Sequence, residues 1–396
     1  MERMGESPDK RPETGPDTGR ADGEAPQRAP EGTGMAVAAD GSEAGTPGVS
    51  RSAEFVRGRR RMTWLVPLFV ALPILAVLVS LTIGVYSISL PDVCRIVWCG
   101  ITGTKFTSDA YANPQLAYNM VWTVRLPRVV ASSLVGAGLG MAGAVFQGVF
   151  RNPLASPYTL GVSNGAGFGA AIAIVLGLSM GFTQGSAIAF GLASVALTFA
   201  VASRSSRSNV TLVLAGMLIS SLFSSLVSLI KFVADPAEKL PQIVYWLMGS
   251  FSGVSFDKLV TILPLYVVSV VVLLCYRWRL NVLSVGDVEA RSFGVNVTRD
   301  RNVAIVAASV ISAVAVSVSG IIGWVGIVVP HLARMITGPD YRRLLPVSLS
   351  LGAVYLCVID DVCRALTTAE IPIGVVTGII GVPLFLFFIY KKKVNW

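Results

Sequence analysis

Few side chains in this 396-residue sequence could do catalytic chemistry. It contains a single histidine, His331, and five cysteines without a CxxC pair, which excludes a multi-histidine metal site. Cys94 and Cys99 lie in one segment and could form a disulfide. His331 has no acidic residue near it in the sequence and fits a packing role. Neither GxxxxGKS nor GxxxxGKT occurs, so the chain is not expected to hydrolyse ATP through a P-loop. We therefore predict no catalytic residue, no metal and no cofactor.

A charged stretch, LSVGDVEARSFGVNV at 283–297, separates two strongly apolar runs. Asp287 and Arg291 stand four residues apart in the order that supports a helix, and Gly294 can end that helix in a left-handed turn. Glu289 adds a second acid between them. Four apolar residues could supply contacts to a partner: Val285, Val288, Ala290 and Phe293. The residue types fit equally a short rigid helix that another protein grips and a solvated loop.

Three arginines lie next to apolar runs, on the side of the membrane that the predicted topology puts opposite to residues 283–297. Arg125 and Arg128 precede one run in the sequence VRLPR, and Arg364 follows a later run. Guanidinium groups in such positions could form bidentate pairs with carboxylates of a docking protein. Local pairing is the alternative, because Asp360 and Asp361 stand four and three residues before Arg364. Both interpretations stay open.

Small residues recur at helical spacing along two apolar runs. Gly161, Gly165 and Gly169 follow one another in steps of four, and Gly136 and Gly140 do the same. Glycines four apart share one helix face and let a second helix approach closely. The stripes could line a pathway or a dimer interface, or they could serve ordinary packing within the chain.

These residues are carried by a chain with the composition of a polytopic membrane protein. Hydrophobic residues make up 53% and charged residues 14%, with a mean hydropathy of +0.67. A soluble domain has about 25% charged residues, so a soluble class is excluded. The net charge of +9 is explained by anchoring to anionic lipid, without a nucleic-acid partner.

Ten apolar runs are predicted to be membrane-spanning helices of an all-α protein in the cell membrane. They lie at about 63–86, 127–149, 162–178, 185–203, 210–233, 258–278, 302–320, 322–337, 345–362 and 373–390. Lys and Arg are concentrated in the segments that this topology puts inside, which predicts cytoplasmic N and C termini and a cytoplasmic 283–297. Residues 1–54 contain no Ile, Leu, Phe, Trp or Tyr and are predicted to form a disordered cytoplasmic tail, with the transmembrane domain at 55–396.

The position of the acids bears on the energy source for transport. Asp257, Asp360 and Asp361 stand at the ends of predicted spans, so no intramembrane site for ion coupling is visible. An external motor would explain that pattern. The alternative is an ion-coupled secondary transporter of about ten spans.

Several long blocks occur in a fixed order along nearly all of residues 63–393. They include RLPRVVASSLVGAGLGMAGAVFQGVFRNPLASPYTLGVSNGAG, LNVLSVGDVEARSFGVNV, GIIGWVGIVVPHLAR and IPIGVVTGIIGVPLFLFFIYKKK. In these blocks the chain resembles the FecCD family of ABC-importer permeases, to which the vitamin B12 permease is related. The resemblance implies a type II importer permease fold and pairing with a second permease, as a homodimer or heterodimer. It also implies two cytoplasmic ATP-binding subunits, an extracytoplasmic substrate-binding protein, and import of an iron(III)–siderophore chelate, haem or cobalamin.

The resemblance also assigns roles to individual residues. In a coupling segment at about 280–300, it implies ATPase contact by four residues: Asp287, Glu289, Arg291 and Gly294. Docking of the binding protein falls to Arg125, Arg128 and Arg364. The inner gate falls to Ser208, Asn209 and Thr211, and the pathway to Asn152, Ser163 and Asn164. Asn152 has the alternative role of a helix cap, because the Asn-Pro dipeptide at 152–153 is also a stop signal.

Overall fold

The computed structural model describes residues 65–84, 86–204, 209–366 and 370–391. The predicted tail at 1–54 and the gate candidate Ser208 lie outside the described residues. Within them the chain is helical and has no strand. The helices are α1 (Leu65–Thr82), α2 (Leu90–Thr102), α3 (Pro114–Asn119), α4 (Leu126–Phe150), α5 (Val162–Val175), α6 (Met180–Ser203), α7 (Asn209–Val233), α8 (Lys239–Met248), α9 (Phe256–Val285), α10 (Asp287–Ser292), α11 (Val297–Ser319), α12 (Val325–Thr337), α13 (Tyr341–Ala365) and α14 (Ile373–Lys391).

Ten of these helices are apolar and correspond one to one with the ten predicted spans. Six are long and apolar enough to cross a membrane, and α1, α5, α12 and α14 contain shorter apolar stretches. The all-α polytopic class is therefore confirmed. Several boundaries differ from the sequence prediction; for example, α6 and α11 begin earlier than expected, at Met180 and Val297. α9 continues to Val285, seven residues past its expected end, and α12 begins only at Val325, after Trp324 has adopted a left-handed backbone with φ of 67°.

α4 lies at the centre of the bundle and runs antiparallel to α13. Near its middle, a Cβ on Gly136 would overlap the carbonyl oxygen of Gly352, and a Cβ on Gly352 would overlap that of Gly136. Only two glycines allow the backbones to come this close. Gly165 and Gly169 of α5 pack in the same way against backbone carbonyls of α6. The glycine stripes thus serve packing within the chain.

The link into α4 is continuous helix. α3 passes into a π-helical turn at Met120–Arg125, which leads directly into α4 with Pro127 in its first turn. A π turn inserts one extra residue per turn and so rotates the side chains that follow it. With this rotation, Arg125 and Arg128 are both buried.

The single histidine is packed in the core, and the five cysteines are not bonded to one another. His331 is buried, with its ring edge-on to Phe385 at 5.9 Å between centroids, in agreement with a packing role. All five cysteines are free thiols, so the disulfide that the sequence left open between Cys94 and Cys99 does not form.

Candidate functional sites at the two ends of the bundle

Most of the predicted site residues fall into two groups at opposite ends of α4. The helix begins beside Arg125 and ends at Arg151, and its 25 residues span about 37 Å at 1.5 Å per residue. Arg125 reaches the carbonyl of Tyr86, which lies between α1 and α2, so we call its end the α2 end. Arg151 contacts the residue that begins α10, so we call the other end the α10 end.

At the α2 end, Arg125 closes the C terminus of α1. Its Nη1 donates to the carbonyl oxygen of Leu81 at 2.9 Å, and its Nη2 donates to the carbonyl oxygen of Tyr86. The last carbonyls of a helix have no partner within it, and a buried end needs donors from elsewhere. Arg125 is 5% exposed and serves this purpose inside the bundle.

Arg128 and Asp360 form a buried ion pair between α4 and α13. Nε of Arg128 donates to both carboxylate oxygens at 3.1 Å, and Nη2 donates to Oδ1 at 2.9 Å. Asp360 is fully buried. The remaining Nη1 of Arg128 bonds Glu370, whose side chain is 38% exposed. Arg128 therefore joins α4 to α13 and to the segment before α14.

Arg364 joins α13 to α1 through hydrogen bonds and an ion pair. Its Nη2 donates to the hydroxyl of Ser80 at 2.6 Å and pairs with Asp361, while Ser80 also donates to Asp361. The local pairing that the sequence offered for Arg364 is thus present. At 9% exposure, Arg364 is as buried as the other two arginines. The docking role of the three stays a prediction.

An exposed cation at the α2 end, Arg95, was not among the predicted docking residues. Arg95 on α2 has a side chain that is 67% exposed and lies 3.9 Å from Asp92. Hydrogen bonds from the hydroxyls of Ser89 and Tyr111, more than the charge of Arg95, hold the pKa of Asp92 below its ordinary value. The amphipathic α2, with Trp98 exposed, was the available signal.

At the α10 end, α10 is a short helix with a defined stop. Gly294 has φ of +74°, its N–H donates to the carbonyl of Arg291 at 2.9 Å, and the N–H of Val295 donates to Ala290 at 3.1 Å. This pair of bonds is the Schellman arrangement, and Val295 packs against Ala290 as that motif favours. The prediction that Gly294 ends the helix in a left-handed turn is confirmed.

The predicted ion pair between Asp287 and Arg291 is wrong, because Asp287 faces the bundle. Nη2 of Arg301 donates to both of its carboxylate oxygens at 2.7 Å, and Nη2 of Arg151 bonds Oδ1. Charge-assisted bonds from two neighbouring helices are stronger than an exposed pair along one short helix. Burial alone would raise the pKa of the Asp287 carboxyl, but Arg301 and Arg151 outweigh it and hold that pKa below its ordinary value.

The outer surface of α10 and its flanks combines apolar side chains with exposed charges. Val285, Val288 and Phe293 are 66%, 75% and 67% exposed, and Glu289 and Arg291 are exposed between them. We call these five side chains the α10 surface. The fourth apolar candidate, Ala290, is fully buried, so its predicted contact with a partner is wrong: it fills the small core under the helix.

Comparison with known proteins identifies this arrangement. The profile of the FecCD transport family matches residues 72–391, which includes every apolar helix except the first turns of α1. The chain belongs to the FecCD transport family. As a FecCD protein it is a multi-pass membrane permease of an ABC importer.

Named relatives of this FecCD chain differ in their cargo. The molybdate import system permease protein MolB of Haemophilus influenzae is 40% identical, over 81% of this chain and 93% of its own length. The cobalamin import system permease protein BtuC of Halobacterium salinarum is 37% identical, over 82% and 88%. A solved structure, described as an inward-facing metal-chelate type ABC transporter, matches with a TM-score of 0.72 at 39% identity, over 82% of this chain and 98% of that one.

Two of the gate and pathway candidates of this FecCD chain lie together at the α10 end. Nδ2 of Asn209, the first residue of α7, donates to the carbonyl of Val149 at 2.9 Å and so joins α7 to the end of α4. Asn152 follows α4, where its backbone N–H donates to the carbonyl of Gln147 at 3.2 Å, as expected of a residue that closes the helix. Its side chain accepts the N–H of Leu154 at 2.9 Å in the turn that follows. Thr211 is half-buried in the first turn of α7.

Two further candidates lie away from that end, at the start of α5. Ser163 is buried, and Nδ2 of Asn164 donates to the hydroxyl of Ser220 in the middle of α7 at 2.7 Å. Asn164 therefore joins α5 to α7. The structure brings Asn152 and Asn209 to one end and leaves Ser163 and Asn164 apart from them.

Proposed function

We propose that this chain is the permease subunit of an ATP-driven importer that moves an iron(III)-chelate-type cargo into the cytoplasm. Two ATP-binding subunits supply the energy and bind the α10 surface. The observation that carries the proposal is α10 itself, a short helix that projects apolar side chains between two long spans and is fixed to the bundle through Asp287.

The charge distribution supports a cytoplasmic location for the α10 end. Basic residues cluster on α10 and beside it, in the last turns of α9 and the first two turns of α11: Arg277, Arg279, Arg291, Arg299 and Arg301. Excess Lys and Arg at the ends of spans mark the cytoplasmic side. An even number of spans then puts both termini in the cytoplasm.

The α10 surface has the composition of a protein interface. Three large apolar side chains that are two-thirds or more exposed stand beside Glu289 and Arg291. Exposed apolar side chains with an aromatic ring and an arginine among them are typical of such contacts. Because the Schellman turn at Gly294 fixes the shape of the helix, little ordering is needed on binding.

Docking of the substrate-binding protein belongs to the α2 end in this proposal. Arg125, Arg128 and Arg364 remain the docking candidates, and an incoming carboxylate could replace the half-exposed Glu370 on Nη1 of Arg128. Arg95 is an exposed cation that is available for a first contact. A second permease, identical or a sister chain, completes the pathway.

The proposal is tested with the chain reconstituted in vesicles with its ATP-binding subunits and binding protein. We expect ATP-dependent uptake of an iron(III)–hydroxamate siderophore, and faster ATP hydrolysis when the loaded binding protein is added. Uptake of cobalamin or molybdate instead would replace the cargo and leave the importer in place. Uptake driven by an ion gradient without ATP would refute the importer in favour of a secondary transporter.

A matched pair of variants tests the α10 surface. Phe293→Asp puts a charge in place of the large exposed ring of the α10 surface and should lower the recovery of the ATP-binding subunits with the purified permease. Ile101→Asp alters a side chain of similar exposure, 70% against 67%, on α2 at the other end, and should leave recovery unchanged. Equal recovery with both variants would remove α10 as the contact.

A further inference from the structure

We infer that Arg151 is the positioning residue that transmits movement of α10 to α4. The inference rests on the proposed function, because α10 moves only if an ATP-binding subunit pulls on it. Three observations carry it: the backbone conformation of Arg151, the reach of its side chain, and the central place of α4.

Arg151 occupies a backbone position that suits glycine. It follows the last residue of α4 with φ of 50° and ψ of 37°, and its N–H donates to the carbonyls of Gln147 and Gly148. Left-handed backbone at a helix C terminus is disfavoured for a residue with a Cβ, and glycine relieves the strain. Among the described residues only Trp324 shares a positive φ without being glycine. Strain of this kind persists where the side chain has a task.

The side chain of Arg151 bridges the junction between α9 and α10. Nε and Nη2 donate to the carbonyl of Leu283 at 3.3 and 3.2 Å, and Nη2 also bonds the carboxylate of Asp287. Leu283 lies in the last turn of α9, and Asp287 begins α10. One guanidinium therefore holds both sides of Gly286, the single residue between the two helices.

The carboxylate of Asp287 connects α10 to two membrane-spanning helices. Its carboxylate is shared between Arg151 at the end of α4 and Arg301, 6% exposed, in the first turns of α11. Two cations on one carboxylate keep it charged, which agrees with its lowered pKa. A displacement of α10 thus acts on α4 and α11 together, and Arg151 is the route to α4.

α4 can carry the displacement to the other end. Its backbone is in contact with α13 through Gly136 and Gly352, and Arg128 at its start pairs with Asp360. A helix held along one side by close packing moves as a rigid element. Arg151 therefore lies where α10, which faces the ATP-binding subunit in this proposal, meets α4, which extends to the α2 end.

The variant Arg151→Gly tests the inference without straining the fold. Glycine keeps the left-handed turn and removes the bridge, so the permease should melt at or near the wild-type temperature and still recover its ATP-binding subunits. In reconstituted vesicles with the binding protein, we expect cargo uptake per ATP hydrolysed to fall about tenfold, within the usual range of coupling between sites. Arg151→Lys, which keeps the charge without the planar fork, should give an intermediate ratio.

Arg204→Gly is the matched control. Arg204 caps α6 at the same end, is exposed, and makes no side-chain hydrogen bond or ion pair with the part of the chain that the structure describes. Its uptake per ATP should equal that of the wild type. An unchanged ratio in Arg151→Gly would overturn the inference, as would loss of the ATP-binding subunits from that variant. Absence of ATP-driven uptake in the wild type would instead refute the proposed function.

Discussion

Replacing Asp360 by asparagine removes the negative charge from the most buried ion pair at the α2 end. Asp360 is fully buried and accepts three hydrogen bonds from Arg128. In addition, Nε of Arg364 lies 3.8 Å from Oδ2 of Asp360. The asparagine side chain keeps the shape and leaves two buried guanidinium groups without that charge. Breaking a buried pair in this way costs about 3–5 kcal/mol. We therefore expect Asp360→Asn to lower the free energy of unfolding by about 3 kcal/mol or more.

Glu370→Gln provides the comparison, because Glu370 bonds the same arginine from a partly exposed position. Its side chain is 38% exposed, and ion pairs open to solvent contribute about 0–1 kcal/mol. Both variants are unfolded by denaturant in detergent, and the loss of helical circular dichroism is followed to equilibrium. A loss in Asp360→Asn no larger than that in Glu370→Gln would refute the view that burial sets the strength of this pair.

Three further predictions concern packing, protonation and the turn after α10. Gly352→Leu should lower the free energy of unfolding by at least about 1–3 kcal/mol, because its side chain meets a backbone carbonyl of α4, while Gly181→Leu, with open space around it, should not. The folded pKa of Asp287 is depressed, so its stabilisation is full above the ordinary value of about 3.9 and is lost as pH falls through the folded pKa. The gap in melting temperature between wild type and Asp287→Asn should accordingly close in acid. Gly294→Ala should cost about 1 kcal/mol through its positive φ and reduce recovery of the ATP-binding subunits, whereas Gly177→Ala, with a similar φ and open surroundings, should reduce stability alone.

The sequence by itself determined the class, the number of spans and the family. Each of these depends on contiguous residues: an apolar run long enough to cross a membrane predicts a helix wherever it lies in the chain. The stop of α10 was predictable for the same reason, since a Schellman turn involves only residues close to Gly294. Helix ends were less predictable: α9 runs seven residues beyond its predicted end, and Asn281 in that extension bonds Asp340 and the N–H of Tyr341 at the start of α13.

Only the tertiary structure decided which charges meet. Arg128 and Asp360 are 232 residues apart in the chain, and Arg151 and Asp287 are 136 apart. Their pairing depends on how α4, α11 and α13 are rotated about their axes, and that rotation is set by contacts such as Gly136 against Gly352. Sequence spacing offered Asp287 the nearest cation on its own helix. The fold turned its carboxylate inward instead, because the buried Arg301 and the neighbouring Arg151 together stabilise a carboxylate more than one exposed arginine does.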